Sequence, residues 1–219
     1  MTPTLVAPAR SPSRTALGDT APTAGTDTLN AIQRLDLAIT PAVPWKNGGG
    51  TTQTLATWPP GADMDGFDWR VSVARIAQTG PFSAFPGVDR VIMLLGGAGV
   101  RLHGHGVDHR LDTPLQPFAF AGDQALDCEL LGGPSSDLNV MTRRGRLRAR
   151  LDIMDRSAHL AAAPQGLLLA VRGTWALQGG THRLHCTPGQ GAWWHRVTGW
   201  QVSPMGTDAR LAFVRLEEI

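Results

Sequence analysis

The chain reads as an all-β protein, and three features of its sequence say so. Glycine occurs 26 times and proline 16 times in 219 residues, and both punctuate strands and terminate helices. The apolar runs between them are short, and the clearest, Trp69 to Ile76, alternates with the two-residue period of a strand. The composition, 42% hydrophobic and 17% charged, is that of a globular chain able to bury a sizeable core as one unit or two small halves.

Residues 1 to 28 mix Pro, Ser, Thr, Ala and Gly with little apolar material, so a disordered tail is expected there. A secretory leader needs an uninterrupted apolar stretch, and Leu5-Val6-Ala7 stops at Pro8. With no run of about twenty apolar residues for a membrane span, a cytoplasmic protein without a membrane partner is expected.

The next elements lead towards a binding face. A short strand is expected around Leu35 to Ile39, followed by a glycine-rich hairpin, Trp45-Lys46-Asn47-Gly48-Gly49-Gly50. That hairpin lacks the Gly-Lys-Ser/Thr ending of a phosphate-binding loop and the flanking strand and helix of a dinucleotide site. In Trp69 to Ile76, Trp69, Val71 and Val73 share an apolar face with Arg75, while Arg70 and Ser72 share the other with Ala74 and Ile76. A guanidinium and a hydroxyl two residues apart can hold a carboxylate through charge-assisted hydrogen bonds; the alternative is an edge strand on which Arg70 is solvated. A turn carrying Phe82 and Phe85, read as hydrophobic plugs at a sheet end, leads through Asp89-Arg90 into a buried strand, Val88 to Leu95.

His103 and His105 stand at i and i+2 in the following segment, so a continuous strand would present both rings on one face, and His109 follows. The spacing resembles the first motif of metal-binding cupins, with Asp108 or His109 near the position of their glutamate. The matching second motif, Pro117 to Asp123, offers no histidine. A metal needs three or four convergent ligands, so these are either solvent-facing hairpin histidines or part of an iron, manganese or zinc site.

Phe118 and Phe120 share a face, as do Asp137, Asn139, Met141 and Arg143 further on. Polar groups pointing inward at Asn139 and Arg143 need partners, either each other and Arg70 or a ligand. From Arg144 to Arg150, arginines alternate with Gly145, Leu147 and Ala149, as the exposed face of an amphipathic strand would. A net charge of +2 is too mild to indicate a nucleic-acid partner. Cys128 and Cys186 are far apart and read as buried hydrophobes. A second, shorter strand set follows, with an apolar run from Gln165 to Val171 and a final strand from Leu211 to Leu216. Between them, Leu184 to His195 resembles the turn that joins cupin strands. This echo fits duplication of a jelly-roll unit. No Gly-x-Ser-x-Gly elbow or His-Glu-x-x-His helix occurs, and tyrosine is absent.

Several blocks, in order and at matching spacing, carry a resemblance: W-x-N-G-G-G-x-T at Trp45 to Thr52, W-R-V-S-V-A at Trp69 to Ala74, and G-P-F-S-A-F-P-G-V-D-R at Gly80 to Arg90. P-L-Q-P-F-A-F-A-G-D at Pro114 to Asp123 and D-L-N-V-M-T-R at Asp137 to Arg143 continue it. Together they resemble the HutD/Ves family. The resemblance implies a bicupin, two cupin-like jelly-roll β-barrel halves in one compact unit over residues 29–150 and 151–219. It also implies an association with histidine utilisation or stress response, without an established catalytic activity. It makes the Trp45 to Gly50 loop a wall of the pocket. The family pattern continues with Arg-Glu where this chain has Gln53-Thr54.

The expected function is non-catalytic binding of a small anionic metabolite in the first half, with no cofactor; a homodimer is compatible with the sequence. The expected ligand-binding residues are Trp45, Asn47, Gly48, Arg70, Ser72, Arg90, Asn139 and Arg143. The alternatives are a metal-dependent isomerase or dioxygenase built on His103 and His105, and a protein-interaction module using the arginine strand.

Overall fold

A computed structural model describes residues 32–219; the tail expected over residues 1 to 28 lies outside them. Every regular element among the described residues is a strand. The first are β1 (Gln33–Asp36), β2 (Ala42–Pro44), β3 (Gly50–Trp58), β4 (Trp69–Ile76), β5 (Gly80–Phe82) and β6 (Val88–Gly96). Next come β7 (Val100–Gly104), β8 (Val107–Leu111), β9 (Pro117–Ala121), β10 (Leu126–Leu130), β11 (Ser135–Arg143) and β12 (Leu147–Met154). The last are β13 (Ala158–Arg172), β14 (Trp175–Gly179), β15 (His182–Cys186), β16 (Gln190–Pro204) and β17 (Arg210–Glu218). No helix long and apolar enough to cross a membrane occurs among the described residues.

A six-stranded sheet in the order β2-β3-β4-β11-β6-β9 is the middle of the structure. Because β4 alternates, its two faces have different neighbours. Trp69, Val71 and Val73, with Leu138 and Val140 of β11, pack against Leu167, Leu169, Val214 and Leu216 of the seven-stranded sheet that contains β12 to β17. On the opposite face, Ile76, Ile92 and Leu94 pack against Val100, Leu102, Leu126 and Cys128 of the four-stranded sheet β5-β10-β7-β8. β4 is an interior strand between β3 and β11. The solvated-edge reading of Arg70 therefore gives way to a half-buried arginine inside the first jelly roll.

The far face of the seven-stranded sheet is filled by Trp175, Trp194, Trp200, Leu168 and Leu211, with Trp194 Nε1 donating to the carbonyl of Ala163 at 3.0 Å. Both cysteines are free and buried, and burial pushes their thiols up, Cys186 to about 11.

Two strand expectations shift. The first strand ends at Asp36, because that residue's carboxylate accepts from Ala38 N at 2.9 Å and its carbonyl from Ile39 N at 3.3 Å, turning the chain and leaving Ile39 exposed. This strand pairs with β16 in the seven-stranded sheet. Arg144 to Arg146 form a turn with Gly145 at φ +77°, and the alternating strand starts at Leu147, with Arg148 and Arg150 exposed along it. Arg144 is held in the turn by carboxylates, Asp89 at 2.7 Å and Asp123 through two bonds of 2.8 Å.

Candidate functional site

Register places the site. In the ladder β4-β11-β6, Met141 is opposite both Arg70 and Arg90, Asn139 is opposite Ser72 and Ile92, and Asp137 is opposite Ala74 and Leu94. Directly opposed residues share a face, so two guanidiniums, a carboxylate and an amide converge on the side turned towards the four-stranded sheet. There they line a cavity of about 490 Å³, together with Trp45, Phe82, Phe85 and Met141 among others.

Arg70 donates to Thr54 Oγ1 at 2.7 Å and to Ser72 Oγ at 3.2 Å, and burial lowers its pKa. Thr54 is where the family pattern would put a carboxylate, so here the arginine meets a neutral hydroxyl. Arg90 is 4% exposed. It donates through Nε to Asn139 Oδ1 at 3.3 Å and through Nη1 to the carbonyl of Ser83 at 3.1 Å. Its Cζ lies 4.4 Å from the ring centre of Phe82, 5.2 Å from Phe120 and 5.3 Å from Phe85. Ring faces attract cations, so this cage offsets part of the cost of burying the charge. Burial lowers the Arg90 pKa to about 10, with Asp137 opposing and Arg70 reinforcing the shift, which leaves a cation at neutral pH. Neither arginine forms an ion pair with a described carboxylate.

Sequence reasoning passed over Asp137 as a site residue. It is 2% exposed. Burial raises its pKa to about 6, against the pull of Arg90 and of the Ala74 backbone N–H. The available signal was its place two residues before Asn139 on the same strand face.

The other expected residues divide by role. Trp45 forms wall, its Nε1 donating to Thr52 Oγ1 at 2.7 Å. Asn47 shapes the hairpin turn by accepting from Gly49 N at 3.0 Å and borders a smaller adjoining recess, while Gly48, exposed at φ +71°, lies outside the cavity wall. Ser72 is fully buried under Arg70 and supports it rather than lining the cavity. Arg143 does not line the cavity: it donates to the carbonyls of Asp65 at 2.7 Å, Phe67 at 3.3 Å and Pro86 at 3.3 Å. It thereby ties together the two loops that supply the rim residues Met64 and Phe85. Gln53 donates to the carbonyls of Leu37 and Thr40, at 2.8 and 2.7 Å, bracing the turn before β2.

The histidines do not converge. His103 is on β7, but His105 is in the β7–β8 turn at φ +39°, so the two leave no common strand face. His109 stacks on Phe118 at 3.7 Å, and Arg101 holds Asp108 with bonds of 2.7 and 2.8 Å. Among the described residues no group of three or more His, Cys, Asp or Glu side chains is placed to hold a metal ion. In the second strand set, His182 and His185 are exposed, and His195 stacks on Trp58 at 3.3 Å.

The comparisons with known proteins agree with this architecture. The HutD family model matches residues 38–212. Protein Ves of Cronobacter sakazakii is 39% identical over 164 residues, covering 74% of this chain and 87% of that protein. An uncharacterised 21.2 kDa protein in the hutC 3′ region of Pseudomonas putida is 40% identical over 141 residues, 64% of this chain and 74% of that one. The structure of HutD from Pseudomonas fluorescens SBW25, in a formate condition, has a TM-score of 0.73 at 30% identity and covers 86% of this chain and all of that one. A cupin 2 conserved barrel domain protein from Leptotrichia buccalis, at 9% identity and TM-score 0.53 over 80% of this chain and 92% of that one, shows the fold alone. The all-β, two-jelly-roll cupin architecture expected from the sequence is the one present.

Proposed function

The chain belongs to the HutD family, and from that premise we propose that it binds a small carboxylate in the first jelly roll without transforming it, as an accessory or regulatory protein of histidine utilisation in the cytoplasm. One observation carries this reading: Arg70 and Arg90 converge on a cavity with mainly apolar walls, and no ion pair neutralises either of them. Buried charges are ordinarily paired, and a cavity with apolar walls and a few convergent polar groups is the usual form of a small-molecule site. An anion entering from solution would complete it, bonding to both guanidiniums while its carbon skeleton meets Phe82, Phe85 and Met141. The name of the Pseudomonas putida relative, which places it in the hutC 3′ region, supports histidine utilisation as the setting.

The test is thermal unfolding of chelator-treated protein with a panel of small carboxylates, including the histidine-breakdown products urocanate and formylglutamate, and with divalent metals in parallel. A ligand that binds only the folded chain raises the midpoint by mass action. A rise with a carboxylate that disappears in Arg70→Ala supports the reading. A rise with metal alone, lost when His103 and His105 are replaced, overturns it in favour of a metal-dependent cupin.

A further inference from the structure

A carboxylate ligand accounts for the two arginines and leaves Asp137 unexplained. This residue is 2% exposed and lines the cavity beside Asn139. The backbone N–H of Ala74 reaches its carboxylate, while Oδ1 has no hydrogen-bond partner. Arg90 is near enough to act on it electrostatically but does not pair with it. A buried carboxylate oxygen without a donor is costly, and the exceptions to full pairing in a folded protein call for an explanation. Oδ1 itself is closed off, but the carboxylate belongs to a residue of the cavity wall and forms no ion pair among the described residues, so a ligand can supply a donor at its cavity edge.

Charge decides which kind of donor. The cavity holds Arg70, Arg90 and Asp137, a net charge of one positive when all three are ionised. The remaining carboxylate of the lining, Asp63, is exposed at the rim and accepts from the backbone N–H groups of Asp65 and Gly66 at 3.1 and 2.8 Å. From the four-stranded sheet, Cys128 is the titratable group that feels Asp137, and its thiol stays protonated. A monoanion therefore neutralises the interior, whereas a zwitterion leaves it one positive charge in excess.

We propose that the Asp137 carboxylate accepts a hydrogen bond from the ligand, and that the site selects a monoanionic carboxylic acid bearing an uncharged hydroxyl or amide N–H donor over the plain acid or the amino acid. The inference rests on the carboxylate reading above and names the second half of the recognition. The carboxylate end lies with Arg70 and Arg90, and the donor lies towards Asp137, one strand-face position beyond Asn139.

Calorimetric titration of the full chain at pH 8, where Asp137 is ionised, tests this with butanoate, its 2-, 3- and 4-hydroxy derivatives and the corresponding aminobutanoates. At least one hydroxy acid is expected to bind about tenfold or more tightly than butanoate, the size of effect a charge-assisted hydrogen bond supplies, and more tightly than the amino acid of the same substitution. In Asp137→Leu the preference for the hydroxy acid disappears while butanoate still binds. In Asp137→Asn, which keeps the shape of the side chain and guards against a folding failure, the preference shrinks severalfold. Equal binding of butanoate and every hydroxy acid, with that binding lost in Arg70→Ala, overturns the donor inference and leaves the carboxylate site standing. A preference that survives Asp137→Leu also overturns it. If no acid of the series binds, both readings fall.

Discussion

Arg70 and Arg90 stand in one cross-strand row, each in register with Met141 of the strand between them. Two strand spacings put their backbones about 10 Å apart, a span that two long side chains can close around a single small anion. Arg70 rests on the hydroxyls of Ser72 and Thr54, and Arg90 is enclosed by three phenylalanine rings, so the two should respond differently to truncation.

Arg70→Ala removes a half-buried charge whose partners are hydroxyls, and is expected to change stability by less than about 1 kcal/mol. Carboxylate binding should weaken by about 2–3 kcal/mol. Arg90→Ala empties a packed cage and is expected to destabilise the fold by about 2–4 kcal/mol. Urea unfolding, paired with calorimetric titration of a carboxylate, separates the two cases. Unfolding of the chain by Arg70→Ala would make that arginine structural.

The raised pKa of Asp137, about 6 in the folded chain, sets a pH dependence. Between its unfolded value near 4 and 6 the unfolded chain gives up this proton and the folded chain keeps it, so stability falls as pH rises through that window and levels off above it. Asp137→Asn removes the term. The variant without ligand should be about 2–3 kcal/mol more stable than the parent above pH 6, and the difference should close as pH falls towards 4. Denaturant midpoints of both proteins from pH 4 to 8 check it, and a gap that widens on acidification would be the wrong sign.

Arg143 acts at a distance from the cavity by joining the loop through Asp65 and Phe67 to the turn at Pro86. Arg143→Ala should cost about 1–3 kcal/mol of stability and speed ligand release. Amide hydrogen exchange should accelerate in residues 62–68 and 85–88 while the six-stranded ladder stays protected. Exchange that accelerates uniformly across the chain would mean general destabilisation instead of a loosened rim.

Two glycines of one hairpin should behave differently. A methyl group on Gly50 would sit 2.3 Å from the Arg75 carbonyl and 3.0 Å from the Trp45 ring, so Gly50→Ala is expected to cost about 2–4 kcal/mol and to displace Trp45 from the wall. At Gly48 nothing lies within 4 Å, and its φ of +71° alone opposes a side chain, a cost of about 1–2 kcal/mol. Thermal midpoints of the two alanine variants, with Trp45 fluorescence, compare them.

Local pattern accounts for much of what the sequence made legible. The bounds of β4 coincide with the alternating run, the burial of Trp69, Val71 and Val73 follows from its phase, and the turns occur where Gly and Pro cluster. The inward row Asp137, Asn139, Met141 was likewise readable, because side chains alternate regardless of what covers them. Arg143 continues that row in phase, yet its long side chain at the strand end reaches the neighbouring loops, which alternation alone does not describe. His105 failed for a related reason: the i and i+2 argument assumes a continuous strand, and the chain turns at Gly104 to Gly106.

Fold class and the shared faces along an unbroken strand such as β4 are therefore legible in the residues alone, since both depend on positions close together in the chain. Long-range packing, in contrast, makes β4 an interior strand, brings Arg90 to Asn139 across 49 residues of chain, and leaves Asp137 Oδ1 without a donor. Those facts come from the pairing of β11 with both β4 and β6 and from the sheets that cover them. Register and pairing between distant segments are settled by burial over the whole molecule, so no local pattern can carry them.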